Sequence, residues 1–228
     1  MQLSVVMPVY NERHTIAEII RRVLETGMAH EILAVDDSST DGTSQILTEL
    51  AERHPVLKVV HHERNQGKGA AVRTGLQAAT GDLVLIQDAD LEYDPREYPL
   101  LLKPILEGRA DAVFGSRFLG APRRATMFWH MVANKMLTLA TNMLYNSILT
   151  DMETGYKVFR RQMLLEIPLH AKRFDFEPEV TAKLLKRKAR IFEVPISFNP
   201  REYSEGKKIG FKDALAAIWT LLKYRFVD

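Results

Sequence analysis

Two rhythms of apolar residues alternate through the first half of the chain. Leu3–Tyr10 is a compact apolar, β-branched run that stops at Asn11, the pattern of a buried strand. From Thr15 to Glu25 the spacing changes, and Ile16, Ile19, Ile20, Val23 and Leu24 share one helical face. The alternation repeats: strand Glu31–Ser38, helix Ser44–His54, strand Leu57–His62, helix Gly67–Ala79 and strand Asp82–Asp90, with a further strand at Ala112–Arg117. Strand and helix in strict succession predict an α/β fold whose mostly parallel sheet carries helices on both faces. Ligands of such sheets sit beyond the carboxyl ends of the strands. Tyr10-Asn11-Glu12, Asp36-Asp37 and Asp88-Ala89-Asp90 all fall at that edge.

Beyond Arg117 the pattern changes. Between Thr126 and Asn146 a helical stripe gathers Trp129, Val132, Ala133, Met136, Leu137, Ala140, Met143 and Leu144, and Phe211–Phe226 repeats the pattern with Leu215, Ile218, Trp219 and Leu222. Such a stripe is either core or the apolar face of a helix lying on a membrane surface. There is no internal repeat and no low-complexity segment, so the 228 residues are expected to form one domain with a helical C-terminal part.

Charge sharpens this division. Lys183–Arg225 holds 11 Lys/Arg against 4 Asp/Glu, a local +7 within a chain whose net charge is only +2. A basic C-terminal lobe suits an anionic partner, either phosphates or an acidic membrane surface. Nucleic acid is not expected, because no aromatic platform interleaves the basic clusters. The absence of cysteine excludes thiolate metal sites, a cysteine nucleophile and a disulfide scaffold. The opening residues read as a strand rather than a secretory signal, and no run of about 18 apolar residues occurs. The expected location is therefore the cytoplasm, peripheral on the cytoplasmic face of a membrane.

The strongest chemical signal is Asp88-Ala89-Asp90-Leu91-Glu92. On an extended backbone alternate side chains point the same way, so the three carboxylates could converge. Crowded carboxylates favour a hard cation, Mg²⁺ or Mn²⁺, with substrate phosphates completing its shell. The alternative is a solvated turn leading into the helix that Asp94-Pro95 would start. The Asp36–Gly42 stretch could meet a base or ribose, or could simply cap a helix through Asp41 or Ser44. Asn65–Gly69 offers a cation and a helix N-terminus to a phosphate, without Walker spacing. His61 and His62 show no metal-ligand spacing and read as structural.

Taken in order, Pro8–Glu12, the segments VDDSSTDGT and NQGKGAAVRTG, the DAD triplet and Gly115-Ser116-Arg117 resemble the family 2 glycosyltransferases. The segments Leu149–Phe159, Phe176–Glu179 and Arg201–Ile209 look like the branch containing dolichol-phosphate mannose synthases and bacterial polyprenyl-phosphate hexosyltransferases. This resemblance implies a GT-A fold, with residues 1–117 binding a nucleotide sugar and residues 118–228 facing acceptor and membrane. It implies that Pro8, Tyr10, Glu12, Asp37 and Lys68 hold the sugar donor and that Asp88 faces it. Asp90 and Glu92 would bind the metal, although the last position is often Gln in the mannose synthases. Arg117 with Arg123 or Arg124 would grip an acceptor phosphate, and Lys207 and Lys208 would close over the diphosphate.

The implied activity is inverting transfer of a hexose from a nucleoside diphosphate, GDP-mannose or UDP-glucose, to a polyprenyl or dolichyl phosphate. Asp88, Asp90 and Arg117 would be the catalytic residues, and a separate protein could supply a membrane anchor. Asp151, Glu153 and Glu177 keep open a sugar-hydroxyl acceptor, which would need a carboxylate base. Nucleotidyl transfer and a non-catalytic nucleotide-sugar-binding scaffold are the readings from other classes.

Overall fold

A computed structural model describes residues 1–122, 124, 128–201 and 211–227, with backbone alone for 211–213. The chain begins with β1 (Leu3–Val9), α1 (Ile16–Glu25), β2 (Ala29–Asp36), α2 (Thr43–Arg53), β3 (Leu57–His61), α3 (Lys68–Ala78) and β4 (Leu83–Ile86). A short 3₁₀ turn, Pro95–Glu97, leads into α4 (Tyr98–Leu106) and β5 (Ala112–Ser116). Then follow α5 (Phe128–Tyr145), β6 (Lys157–Arg160), α6 (Arg161–Leu165), α7 (Phe176–Lys186), β7 (Ile191–Pro195) and α8 (Phe211–Phe226).

The strands form a seven-stranded sheet in the order β3-β2-β1-β4-β6-β5-β7. Among the described strands only β6 runs antiparallel to its neighbours, β4 and β5. Both faces of the sheet are covered, as a parallel sheet requires. Along β1 the pleat divides the side chains: Leu3, Val5, Met7 and Val9 join one core, while Val6 joins the other. The first core takes the buried Ile16, Ile19, Ile20 and Val23 of α1, each worth about 2 kcal/mol by the area it removes from water. The second is built by α3, α7 and α8.

One buried carboxylate staples the sheet. Glu31 in β2 accepts hydrogen bonds from Ser4 Oγ at 2.7 Å, Thr80 N at 2.6 Å and Lys58 Nζ at 2.6 Å. Burial alone would raise its pKa, but the Lys58, Ser4 and Thr80 donors outweigh that and bring it down to about 2.

Three expectations need correction. Strand β4 stops at Ile86, so the acidic triplet is not on a strand. Gln87 makes one last bond to Val6 O at 3.0 Å, after which its side chain turns to the Asp88 carbonyl and accepts from Tyr98 Oη. The second half of the chain is not simply helical either, since it adds β6 and β7 to the sheet. Finally, α2 is capped at Gly42, with Asp41 accepting from Thr43 N at 3.0 Å, whereas Ser44 Oγ bonds Asp36.

The stripe on α5 is turned mostly outward. Trp129 is 76% exposed, Met136 66% and Met143 76%, while Leu137, Thr138 and Thr141 are buried. The polar side of the helix is the one the fold uses. Thr138 Oγ1 accepts from Met152 N at 3.1 Å, and Asn142 bonds the Leu149 carbonyl and N–H at 2.8 and 2.9 Å.

Candidate active site

Loops at the carboxyl ends of the parallel strands surround a cavity of about 710 Å³. After β1 the chain turns through Asn11 in the left-handed region, φ 54°, which Asn tolerates better than most residues. Asn11 N donates to Ser39 Oγ at 2.9 Å, and Asn11 Oδ1 accepts from Thr40 N at 2.8 Å, tying the β1 and β2 loops together. Pro8, Tyr10 and Glu12 thereby line the cavity, with Asp37 beside them.

Asp37 has a structural task. Its carboxylate accepts from Gln66 N at 2.8 Å, Gly67 N at 2.7 Å and His62 Nδ1 at 2.7 Å, which fixes the loop before α3. Gly67, at φ +94°, cannot carry a side chain: a Cβ would overlap the Lys172 carbonyl oxygen. Two of the N–H groups that open α3 are consumed there. Gly69 N donates to Arg173 O and Ala70 N to Lys172 O, both at 3.1 Å. The helix N-terminus expected as a phosphate cradle is therefore a packing joint, because carbonyl oxygens already occupy it.

Lys68 stays at the cavity wall, bridging Asp88 at 2.8 Å and Glu177 at 2.9 Å. Burial opposes its charge, but Asp88 and Glu177 outweigh it and hold the ammonium well above its usual pKa. Asp90 and Glu92 share a different cation. Arg201 donates from Nη2 to Asp90 at 3.0 Å and from Nη1 to Glu12 at 2.9 Å, while its backbone N–H reaches Glu92 at 2.7 Å. Burial first, then the charges of Asp88 and Glu92, push the Asp90 carboxyl up against the pull of Arg201. Sequence reasoning did not single out Arg201 for this role. It lies far from the triplet along the chain, and only its place in the Arg201–Ile209 segment marked it.

The reversed strand β6 completes the site. Because it runs against its neighbours, the loop preceding it lies at the same edge as the loops following β1, β2 and β4. That loop brings Asp151, Glu153 and Gly155. Arg117, just after β5, clamps buried Asp151 with two parallel bonds of 2.7 and 2.8 Å, and its guanidinium lies 5.0 Å from the Phe198 ring centroid. Burial works against the Arg117 charge, yet Asp151 keeps its pKa raised. Lys157, fully buried, donates to the carbonyls of Met152 and Thr154 and holds the loop from within. Thr150 and Asp151 N–H groups bond Glu193 of β7 at 2.8 and 3.0 Å.

The cavity thus unites Pro8, Tyr10, Glu12, Asp37, Lys68, Asp88, Asp90, Glu92 and Arg117. Arg124 is exposed, bonds the Phe198 carbonyl through its backbone N–H and is not among the described lining residues. Arg123, Lys207 and Lys208 lie outside the described residues.

The sequence profile of "Glycosyl transferase family 2" matches residues 4–167. The chain belongs to glycosyl transferase family 2. A dolichol-phosphate mannosyltransferase of Pyrococcus furiosus is 30% identical over 98% of this chain, which spans 64% of that relative's length. A polyprenol monophosphomannose synthase of Mycolicibacterium smegmatis is 33% identical over 90% of this chain and 80% of its own. Among solved structures, the glucosyl-3-phosphoglycerate synthase of Mycobacterium tuberculosis, in complex with Mn²⁺, UDP and phosphoglyceric acid, superposes with TM-score 0.77 at 22% identity, covering 100% of this chain and 79% of that one. A Pyrobaculum calidifontis mannosyltransferase in complex with GDP-Man and Mn²⁺ gives TM-score 0.62 at 21% identity, covering 98% and 72%. These likenesses establish the GT-A fold for this family 2 chain.

Gly155 offers a direct check of the site. A Cβ there would overlap Asp88 Oδ2 and stand 3.1 Å from Lys68 Nζ. Both are side-chain ends that can move, so the fold should tolerate Gly155→Ala while the Asp88–Lys68 pair shifts. Tm is expected to stay within a few degrees, and affinity for a nucleoside diphosphate sugar, measured by calorimetry, to fall about tenfold, the equivalent of about 1.4 kcal/mol. Unchanged affinity would place the sugar donor elsewhere.

Proposed function

We propose that this family 2 chain transfers a hexose, with inversion, from a nucleoside diphosphate sugar to a polyprenyl or dolichyl phosphate at a membrane surface. One observation carries the reading: a single cavity combines an acidic cluster, a clamped arginine and an apolar helix face. Asp88, Asp90 and Glu92 line it together with Arg117 and with Trp129, Ala133 and Leu137 of α5. An acceptor with a phosphate head and a long apolar tail needs the last two features side by side. The names of the two curated relatives favour mannose, with GDP-mannose as donor; UDP-glucose is the alternative.

Asp90 and Glu92 fit a divalent cation. They are hard oxygen donors, they crowd each other, and only Arg201 offsets their charge among the described contacts. Among the described residues no three acidic or histidine side chains form a cage by themselves. Two carboxylates completed by substrate phosphates are the usual Mg²⁺ arrangement. Bound there, Mg²⁺ or Mn²⁺ would supply Lewis-acid stabilisation of the leaving diphosphate. The protein's own residues do the rest. Pro8, Tyr10 and Glu12 seat the nucleotide over the loop that Asp37 holds, and Asp88, fixed by Lys68, faces the sugar. Arg117, oriented by Asp151, holds the acceptor phosphate so that one oxygen attacks the anomeric carbon as the bond to the diphosphate breaks. A phosphate monoester, second pKa about 6, is already largely dianionic near neutral pH and needs no strong base.

The membrane face consists of α5 and α8. Trp219 of α8 is 68% exposed, and Leu215, Ile218, Leu222 and Phe226 are exposed beside it, with Lys223 and Arg225 on the same helix. Among the described residues no helix is long and apolar enough to cross a membrane. Apolar groups in the headgroup boundary gain about 0.8 kcal/mol per buried CH₂, and each basic residue near an anionic surface about 1 kcal/mol. The comparisons lend no support to a separate anchor protein, and none is invoked.

The decisive experiment presents short polyprenyl phosphates with a panel of labelled nucleotide sugars and counts lipid-extractable label. Label on no lipid phosphate, or equal transfer to the dephosphorylated polyprenol, would refute the proposal. For the surface, salt-sensitive binding to phosphatidylglycerol-containing vesicles is expected. A Trp129→Ser/Met136→Ser variant should lose most of it without loss of Tm or of nucleotide-sugar binding. Wild type that ignores such vesicles at low salt would remove α5 from the membrane reading.

A further inference from the structure

Three acidic residues approach the cavity from the loop before β6 and the start of α7, and two of them are paired. Asp151 holds Arg117, and Glu177 holds Lys68. Glu153 differs. It lines the cavity half-buried, and its Oε1 is enclosed with no hydrogen-bond partner among the described residues. An enclosed carboxylate oxygen that has lost its water and gained no donor is a poor place for negative charge, which favours the neutral form.

The surroundings push the same way. Glu177 faces it from α7, Lys157 from β6, Arg117 from the end of β5 and Asp151 from its own loop. Lys68, Asp88, His130 and Arg173 line the same cavity. Burial first, then the charge of Glu177, drives the Glu153 carboxyl well above the ordinary range, against Lys157 and Arg117. Lys157 offsets part of this, but burial pulls its own ammonium down to about 8 against Glu177, Asp151 and Glu153, and it donates to the Met152 and Thr154 carbonyls, so it titrates in the same pH range.

We propose that Glu153 contacts the acceptor as a neutral carboxyl, donating a hydrogen bond to the phosphoryl group that Arg117 holds. This rests on the reading of the acceptor as a lipid phosphate. A phosphate dianion meets one positive charge in Arg117, whose charge Asp151 already balances. A carboxylate nearby would repel it, whereas a neutral carboxyl adds a donor and no charge. A sugar-hydroxyl acceptor would make the opposite demand, a carboxylate free to take a proton. The two chemistries require opposite protonation states of the same residue.

Glu153→Gln and Glu153→Ala separate them. Both variants are assayed for acceptor KM and kcat with a short polyprenyl phosphate from about pH 6 to 9, spanning neutrality, with Tm measured alongside. At the acid end of that range, where Glu153 keeps its proton, the Gln variant carries an N–H of equal reach and its acceptor KM should stay within about twofold, while Ala should raise it about tenfold, as for a lost hydrogen bond to a charged group. The raised pKa fixes the sign: the wild type binds acceptor well while Glu153 keeps its proton and more weakly as pH rises through its ionisation. The kcat/KM ratio of Gln variant to wild type should therefore grow at alkaline pH; the ratio cancels the acceptor's own titration, whereas a profile set by Lys157 would persist in the Gln variant. A Gln variant that folds but loses turnover by orders of magnitude overturns the proposal in favour of a base. Gln and Ala variants that both match wild type overturn it while leaving transfer to lipid phosphate intact. No transfer by wild type to any polyprenyl phosphate overturns the parent reading and this one together. Should Ala fail to fold, the Gln pH profile still decides.

Discussion

Asp90→Asn is expected to lower hexosyl transfer by about three orders of magnitude, the scale seen when a main stabiliser of developing charge is removed. The substitution should leave the fold untouched. Asn has the same shape, and its Oδ1 can still accept the Glu92 N–H, now 3.1 Å away. Removing the charge relieves repulsion from Asp88 and Glu92 but also removes one partner of Arg201, which keeps Glu12, so Tm should change by only a few degrees. What disappears is half of the carboxylate pair offered to the metal. Activity should vanish in excess chelator and return with Mg²⁺ or Mn²⁺, and the Asn variant should show weakened Mn²⁺ binding by electron paramagnetic resonance. Full activity in chelator, or an Asn variant near wild type, would remove the metal from this place.

Arg117→Ala should show two separate losses. The first is in stability. Asp151 is fully buried and receives two side-chain bonds from Arg117, and of its Arg117 contacts only the backbone N–H at 3.0 Å would remain. Breaking a buried pair from one side costs about 3–5 kcal/mol because the remaining charge is stranded. The second loss is in acceptor use, expected to fall at least about a hundredfold, in line with a bidentate charge-assisted contact worth about 3 kcal/mol. Arg117→Ala/Asp151→Asn separates the two. Urea denaturation should recover most of the stability, and lipid-phosphate transfer should stay lost. Affinity for the nucleotide sugar should be preserved throughout. If it falls in parallel with lipid use, Arg117 belongs to the other substrate.

The contrast between Asp90 and Arg117 shows how far the chain could be read without coordinates. The strand-helix alternation through β4 follows from local periodicity, since side chains on a doubly covered sheet and on an amphipathic helix repeat at different spacings. Because such sheets open at their carboxyl ends, Tyr10, Glu12, Asp37 and the acidic triplet could be placed at one edge from the sequence alone. Family resemblance added the expected roles of Lys68, Arg117 and Asp90.

Tertiary structure decided what those residues touch. β6 is four residues long and carries no alternating pattern, so nothing local announces that it runs backwards between β4 and β5. That reversal brings Glu153 and Gly155 to the cavity and Asp151 to Arg117. The N–H groups of Gly69 and Ala70 looked free for a phosphate until the 172–173 carbonyls filled them, a contact about a hundred residues away along the chain. The spacing of the α5 stripe suited core and membrane-surface helix alike, and the loop after the helix decides by claiming Thr138 and Asn142 and turning Trp129, Met136 and Met143 outward. Periodicity records which residues share a face. Which face is buried depends on the partners that long-range folding brings to it.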